Sequence, residues 1–175
     1  MKTYDRELEL GFEVSAAQAI KAITRENLEI LNQNIIHQMW LEDGKVGDYK
    51  FRTRIRKTEV EYQGALIGAS ECEYTTKYSK NDETATEQDN MELNAKITLE
   101  EYEKLKKIYE AAGKEEVVKI RTFLRDPLSF STLYVFDTYP NEKGDRARIE
   151  IEFKNKQEME DWRAPDWLQN LVLKR

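Results

Sequence analysis

The chain has one cysteine, Cys72, and one histidine, His37, among 175 residues. A single cysteine excludes an internal disulfide and a cysteine-built zinc site, and it removes the signature of a secreted disulfide scaffold. Cys72 falls inside a strand-like run, where it reads as a packing residue rather than a nucleophile. A lone histidine cannot assemble a histidine-rich metal centre, and on a strand its usual role is structural. No apolar run approaches the roughly 20 residues of a bilayer span, and MKTYDRELE lacks a signal-peptide core, so the expected compartment is the cytoplasm. Basic excess is missing as well. The 34 Asp and Glu against 28 Lys and Arg leave a net charge of −6, which argues against a nonspecific coat on double-stranded DNA and against a membrane-surface binder. Neither repeats nor a linker appear, so residues 1–175 read as one domain, long enough to bury a core. With 39% hydrophobic and 35% charged residues it is a water-soluble globular chain with a very polar surface.

What the sequence does have is alternation. In Tyr4–Val14, Leu8, Leu10, Phe12 and Val14 point one way while Glu7, Glu9, Gly11 and Glu13 point the other, the period of a half-buried strand. Glu7 and Glu9 therefore sit side by side, and like charges held that close require a metal ion, a cationic partner strand or solvent. The run 49–57 is the complement: Lys50, Arg52, Arg54 and Arg56 share one face, and Phe51 and Ile55 mark the other as core-facing. Further strands are expected over 35–42, 71–79, 89–97, 116–124, 131–139 and 146–154, with connections at 43–48, 64–70, 80–89, 126–129 and 140–145. A helix capped by Ser15 is expected to reach about Leu31. A second is opened by the T-x-x-E box of Thr98 and Glu101 and closed before Gly113, with an apolar stripe of Leu99, Tyr102, Leu105, Ile108 and Tyr109. The tail reads as a short amphipathic helix, a break at Pro165 and a closing segment packed by Trp162, Trp167 and Leu171.

The polar faces are sorted by sign. Carboxylates come from 4–14, 89–97 and 146–153; cations come from 49–57, 71–79 and 116–124. An ordinary sandwich would show mixed polar residues outside, whereas an eight-stranded antiparallel barrel can enclose a ligand cavity. If these faces line the inside, the cavity holds acidic groups for a divalent metal and basic groups for a polyanion, and a triphosphate with its metal is the obvious occupant. The apolar faces would then pack outward under the helices. A structural barrel held by internal ion pairs is the alternative.

The order of motifs resembles that of the CYTH, or triphosphate tunnel metalloenzyme, superfamily. ELELGFEV is similar to its N-terminal ExExK, RTRIR (52–56) to its arginine strand, and YTTK (74–77) to its T-x-K strand. MELNAKITLEEYEKL (91–105) resembles its acidic strand and following helix, KIR (119–121) its K-x-R strand, VFD (135–137) its aspartate strand, and ARIEIEF (147–153) its late E-x-E; PDWL (165–168) resembles a closing element. The resemblance spans nearly the whole chain and rests on the series rather than on one motif. It implies an α+β, predominantly β fold: a closed eight-stranded antiparallel β-barrel with helices packed outside. It implies activity on triphosphates: hydrolysis of inorganic, nucleoside or thiamine triphosphate, cyclisation as in class IV adenylate cyclases, or removal of RNA 5′-phosphates. By that resemblance Glu7, Glu9, Glu150 and Glu152 would hold Mg²⁺ or Mn²⁺ and carry catalysis, with Glu92 and Asp137 as further ligands. Arg52, Arg54, Arg56, Lys77, Lys119 and Arg121 would bind the phosphates, and the chain would be a monomer or homodimer. Three positions depart from the pattern. Gly11 stands where the lysine of ExExK is usual, leaving the expected tunnel short of a cation, and Asn90 and Asn94 stand for an arginine and a second glutamate. Two functional classes follow: a metal-dependent triphosphate hydrolase, or a module that captures a nucleotide or polyphosphate without efficient turnover.

Overall fold

Eight long stretches of period-2 alternation form one sheet that closes on itself. In the computed structural model, which describes residues 2–62, 65–80 and 87–172, the strands are β1 (Lys2–Ser15), β2 (Glu29–Val46), β3 (Tyr49–Tyr62), β4 (Ala65–Ser79), β5 (Glu87–Ile97), β6 (Val117–Asp126), β7 (Ser129–Thr138) and β8 (Arg146–Phe153). They run β1-β5-β4-β3-β2-β6-β7-β8 around a closed barrel, and each neighbouring pair is antiparallel. The expected architecture is therefore the observed one. The connection expected at 64–70 is mostly strand, since β4 begins at Ala65, and β5 begins at Glu87 within the connection expected at 80–89; residues 63–64 and 81–86 lie outside the described residues.

The helices sit outside, where the apolar strand faces need cover. Helix α1 (Ala16–Arg25) is capped by Ser15, whose hydroxyl accepts from the Gln18 amide. It is shorter than expected. Asn27 adopts a left-handed φ of 52° just past the helix end, and the chain turns directly into β2. Helices α1, α3 (Lys156–Asp161) and α4 (Asp166–Val172) cover Leu8, Val14, Tyr134, Phe136, Ile149 and Ile151 on the outer faces of β1, β7 and β8. Helix α2 (Leu99–Ala111) has the full capping box: Thr98 Oγ1 accepts from the Glu101 amide, and the Thr98 amide donates to Glu101 Oε2 at 2.7 Å. It seals a second, smaller core of Met39, Leu41, Ile55, Cys72 and Tyr102. The expected α2 stripe is only partly used. Tyr102 is fully buried, while Leu99 and Ile108 face solvent. No helix among the described residues is long and apolar enough to cross a membrane.

Two consequences position the site. With the apolar side chains outward under helices, the charged faces have only the barrel interior to occupy. And β2 pairs Gln38 with Arg56 and Trp40 with Arg54 before its register shifts between Trp40 and Glu42, so Gln38 and Trp40 line the interior beside those arginines.

Candidate functional site

The barrel encloses a cavity of about 320 Å³. Among the described residues seven carboxylates (Glu7, Glu9, Glu13, Glu92, Glu142, Glu150 and Glu152) and seven cations (Arg54, Arg56, Lys77, Lys119, Arg121, Arg146 and Arg148) line it, with Gln38, Trp40, Val117 and Tyr139. Ten of the twelve expected site residues are in this set. Arg52 is not: its guanidinium lies over the Trp40 ring, 4.7 Å from the centroid. Asp137 is fully buried behind the lining and holds it in place instead.

The cations fall into two kinds. Lys119 and Arg121 are tied down. Lys119 Nζ donates to Asp137 Oδ2 at 2.7 Å, and Arg121 reaches both Asp137 oxygens at 2.8 and 2.7 Å and Glu150 at 2.9 Å. Burial opposes the Asp137 charge, but these two cations overcome it and hold the carboxyl at about 2. Lys119 gains less from the pairing, because burial and the adjacent Arg121 bring its ammonium down to about 8. Lys77 bridges Glu7 and Glu92 at 3.3 Å each, and these carboxylates with Glu9 outweigh burial to raise it.

Arg54 and Arg56 are the second kind. Burial disfavours both charges, and Arg54 and Arg121 repel Arg56 further. Arg54 meets Glu92 only at 3.9 Å and Thr75 at 3.4 Å, and Arg56 makes no ion pair among the described residues. The Nε donors of both guanidinia are buried without an acceptor. Two guanidinium forks with buried, unmet Nε donors are what an anion would complete.

The acidic wall comes from β1 and β8, where Glu9 lies opposite Glu152 and Gly11 opposite Glu150. Burial, then the charge of Glu150, pushes the Glu9 carboxyl up to about 7. Glu9 and Glu152 have no ion pair or hydrogen bond among the described residues. Glu150, by contrast, is held low against burial by Arg121. No three Asp, Glu, His or Cys side chains among the described residues stand together as a metal cluster. The donors that remain unpaired, Glu9 and Glu152, are hard oxygen ligands of the kind that suits Mg²⁺ or Mn²⁺. Glu92 is engaged by Lys77 and Arg54, and Asp137 by Lys119 and Arg121, so both also order the cations beside them.

The gap expected at Gly11 is filled. Arg148, on the neighbouring strand, lays its guanidinium over this residue. Asn94 accepts from Thr75 at 2.8 Å, and Asn90, wedged fully buried between strands, has neither side-chain polar atom bonded.

No family model matches the chain, and no curated protein sequence does either. Solved structures do. The PH1819 protein of Pyrococcus horikoshii OT3 aligns at 20% identity and a TM-score of 0.56, over 95% of this chain and 89% of its own. HpAC1 from Hippeastrum, a protein with a dominant triphosphatase activity, aligns at 12% identity and a TM-score of 0.56, over 96% of this chain and 87% of its own. The chain shares the fold of these proteins. The Schizosaccharomyces pombe Mediator head module matches too, at 10% identity and a TM-score of 0.51, over 97% of this chain and 90% of that one. A tunnel fold thus does not by itself assign an activity; the lining must.

Proposed function

We propose that this tunnel binds a triphosphate-bearing molecule and hydrolyses its terminal phosphoanhydride with Mg²⁺ or Mn²⁺. The observation that carries the reading is the pair of guanidinia of Arg54, buried, and Arg56, half-buried, whose buried Nε donors lack acceptors inside the barrel cavity. A polyphosphate supplies acceptors at that spacing, and the fork geometry of arginine matches phosphate oxygens. Lys77, Lys119 and Arg121 extend the same surface along β4 and β6.

With equal numbers of carboxylates and cations, the lining alone gives a tetra-anion little net attraction. A divalent cation supports the balance, and Glu7, Glu9, Glu150 and Glu152 are the residues that would hold it. When bound, the ion neutralises charge on the phosphoryl oxygens. The chain's own part is to position: the arginines and lysines fix the phosphate chain so that a water meets the terminal phosphorus in line. The water oxygen bonds to phosphorus, the bond to the bridging oxygen breaks, and inorganic phosphate leaves from the shortened chain.

A second reading, capture without turnover, is supported by the lack of a preformed cluster of three acidic ligands among the described residues. One experiment separates the two. Purified protein is given inorganic triphosphate, ATP, GTP or thiamine triphosphate with Mg²⁺ or Mn²⁺, and phosphate release and binding are both measured. Turnover that disappears in Glu9→Gln supports the hydrolase. Micromolar or tighter binding with no phosphate or pyrophosphate release in either metal supports capture, and no binding at all refutes the tunnel reading.

A further inference from the structure

The inward face of β1 bears Glu7, Glu9 and Glu13 and, between the last two, one residue without a side chain, Gly11. Its φ lies outside the left-handed region, so conformation does not require glycine. Space does. A Cβ at position 11 would lie 1.9 Å from Arg148 Nη2 and 2.4 Å from its Cζ. The guanidinium of Arg148 thus occupies the volume in which any side chain on residue 11 would begin.

Arg148 is held there by two of its three nitrogens. Nε donates to Glu150 Oε1 at 2.8 Å and Nη1 to Glu13 Oε1 at 3.3 Å. Nη2 has no acceptor among the described residues, and the side chain lines the cavity at 8% exposure. In the ring of eight, β8 and β3 stand four strands apart, hence directly across the barrel. Arg148 therefore opposes the strand that supplies Arg54 and Arg56.

We infer that Arg148 is a phosphate-binding residue of the tunnel, which gives the otherwise acidic β1–β8 wall its cation, and that Gly11 is the residue that admits it. The inference rests on the reading of the tunnel as a triphosphate site and deepens it. A triphosphate seated in the cavity is then gripped from both walls, by Arg54 and Arg56 on one side and by the open Nη2 edge of Arg148 on the other. Two bonds to carboxylates leave the guanidinium oriented before the ligand arrives, so less side-chain freedom is lost on binding.

The geometry also couples positions 11 and 148. A side chain at 11 must displace the guanidinium, so Gly11→Ala and Arg148→Ala remove the same interaction by two routes, and the double variant should be no worse than either alone.

The test compares wild type, Arg148→Ala, Arg148→Lys, Gly11→Ala, the Gly11→Ala/Arg148→Ala double variant and Gly11→Lys in the Arg148→Ala background. Binding of inorganic triphosphate is read by calorimetry, turnover with Mg²⁺ by phosphate release, and folding by thermal melts. Arg148→Ala should weaken binding about tenfold and lower kcat/KM by roughly two to three orders of magnitude, the scale of losing one preorganised electrostatic contact. Gly11→Ala should match it, the double variant should add nothing, and Gly11→Lys should restore part of the binding. Arg148→Lys, which keeps the charge and loses the fork, should fall between. Binding and turnover of Arg148→Ala within twofold of wild type would overturn the inference, as would losses that multiply in the double variant. A drop in melting temperature with unchanged affinity of the folded protein would reduce Arg148 to a structural brace and overturn it too. If Arg148→Ala does not fold, Gly11→Ala and Arg148→Lys decide alone. Wild type that binds no triphosphate removes the tunnel reading itself, a result distinct from wild type that binds and is indifferent to Arg148.

Discussion

Replacing Asp137 by asparagine tests whether this carboxylate anchors cations or binds metal. The residue is fully buried, and its two oxygens accept three hydrogen bonds, one from Lys119 and two from Arg121. Its carboxyl sits at about 2 against an ordinary 3.8, a difference worth about 2–3 kcal/mol. Because the folded value is the lower one, that stability is present above 3.8 and is lost as the pH falls through 2. Asparagine also strands two buried cations, and breaking a buried pair costs about 3–5 kcal/mol. At pH 7 the Asp137→Asn variant should therefore be less stable by about 3–5 kcal/mol, a fall in Tm of roughly 6 °C or more for a chain of this size. Urea unfolding in EDTA and in Mg²⁺ is the assay. An anchor loses the same amount in both. The gap to wild type should narrow by about 1 kcal/mol at pH 3, as the unfolded carboxyl takes up its proton. A loss under about 1 kcal/mol in EDTA would refute the anchoring argument, and so would a loss that appears only with metal present.

The Glu9 carboxyl, raised to about 7 by burial and by Glu150, has the opposite sign. Its contribution is complete below 4.5 and is lost as the pH rises through 7, so Glu9→Gln should be more stable than wild type at pH 8 by roughly 2–3 kcal/mol while triphosphate turnover is lost. Thermal melts at pH 4 and pH 8 check this, and identical melts at pH 8 would contradict it. Thr98→Ala removes the acceptor of the α2 capping box and should cost about 1 kcal/mol, or 2–4 °C in Tm, with triphosphate binding unaffected.

Alternation made most of this architecture legible. Strict period 2 in ELELGFEV or RARIEIEF assigns every residue to one of two faces, and sorting those faces by charge was enough to turn the barrel inside out relative to an ordinary polar-outside sheet. Strand length was less legible. Polar residues at the start of β2, such as Asn32 and Asn34, concealed its extension back to Glu29, because they too point at partners within the barrel wall. Trp40 and Gln38 were invisible as lining residues, since neither carries a charge and the interior face was recognised by its sorted charges. Arg148 was on a face read as acidic, and its role depends on an absent side chain at Gly11, more than a hundred residues earlier. Only strand register brings the two together. The same holds for Asp137: only strand register shows that Lys119 and Arg121 converge on it.

Barrel closure also has a kinetic side. The last pairing of the ring joins Leu8 to Phe153 and Ser15 to Arg146, among the most sequence-distant contacts the chain makes, and the ones whose loop-closure entropy is largest. Glu9, Gly11, Arg148, Glu150 and Glu152 all lie on that pair of strands. The acidic wall of the tunnel therefore does not exist in any intermediate that has folded β2 to β7 alone, and full affinity for a polyphosphate should appear in refolding only when the two ends of the sheet meet and Arg148 comes to face Arg54 and Arg56.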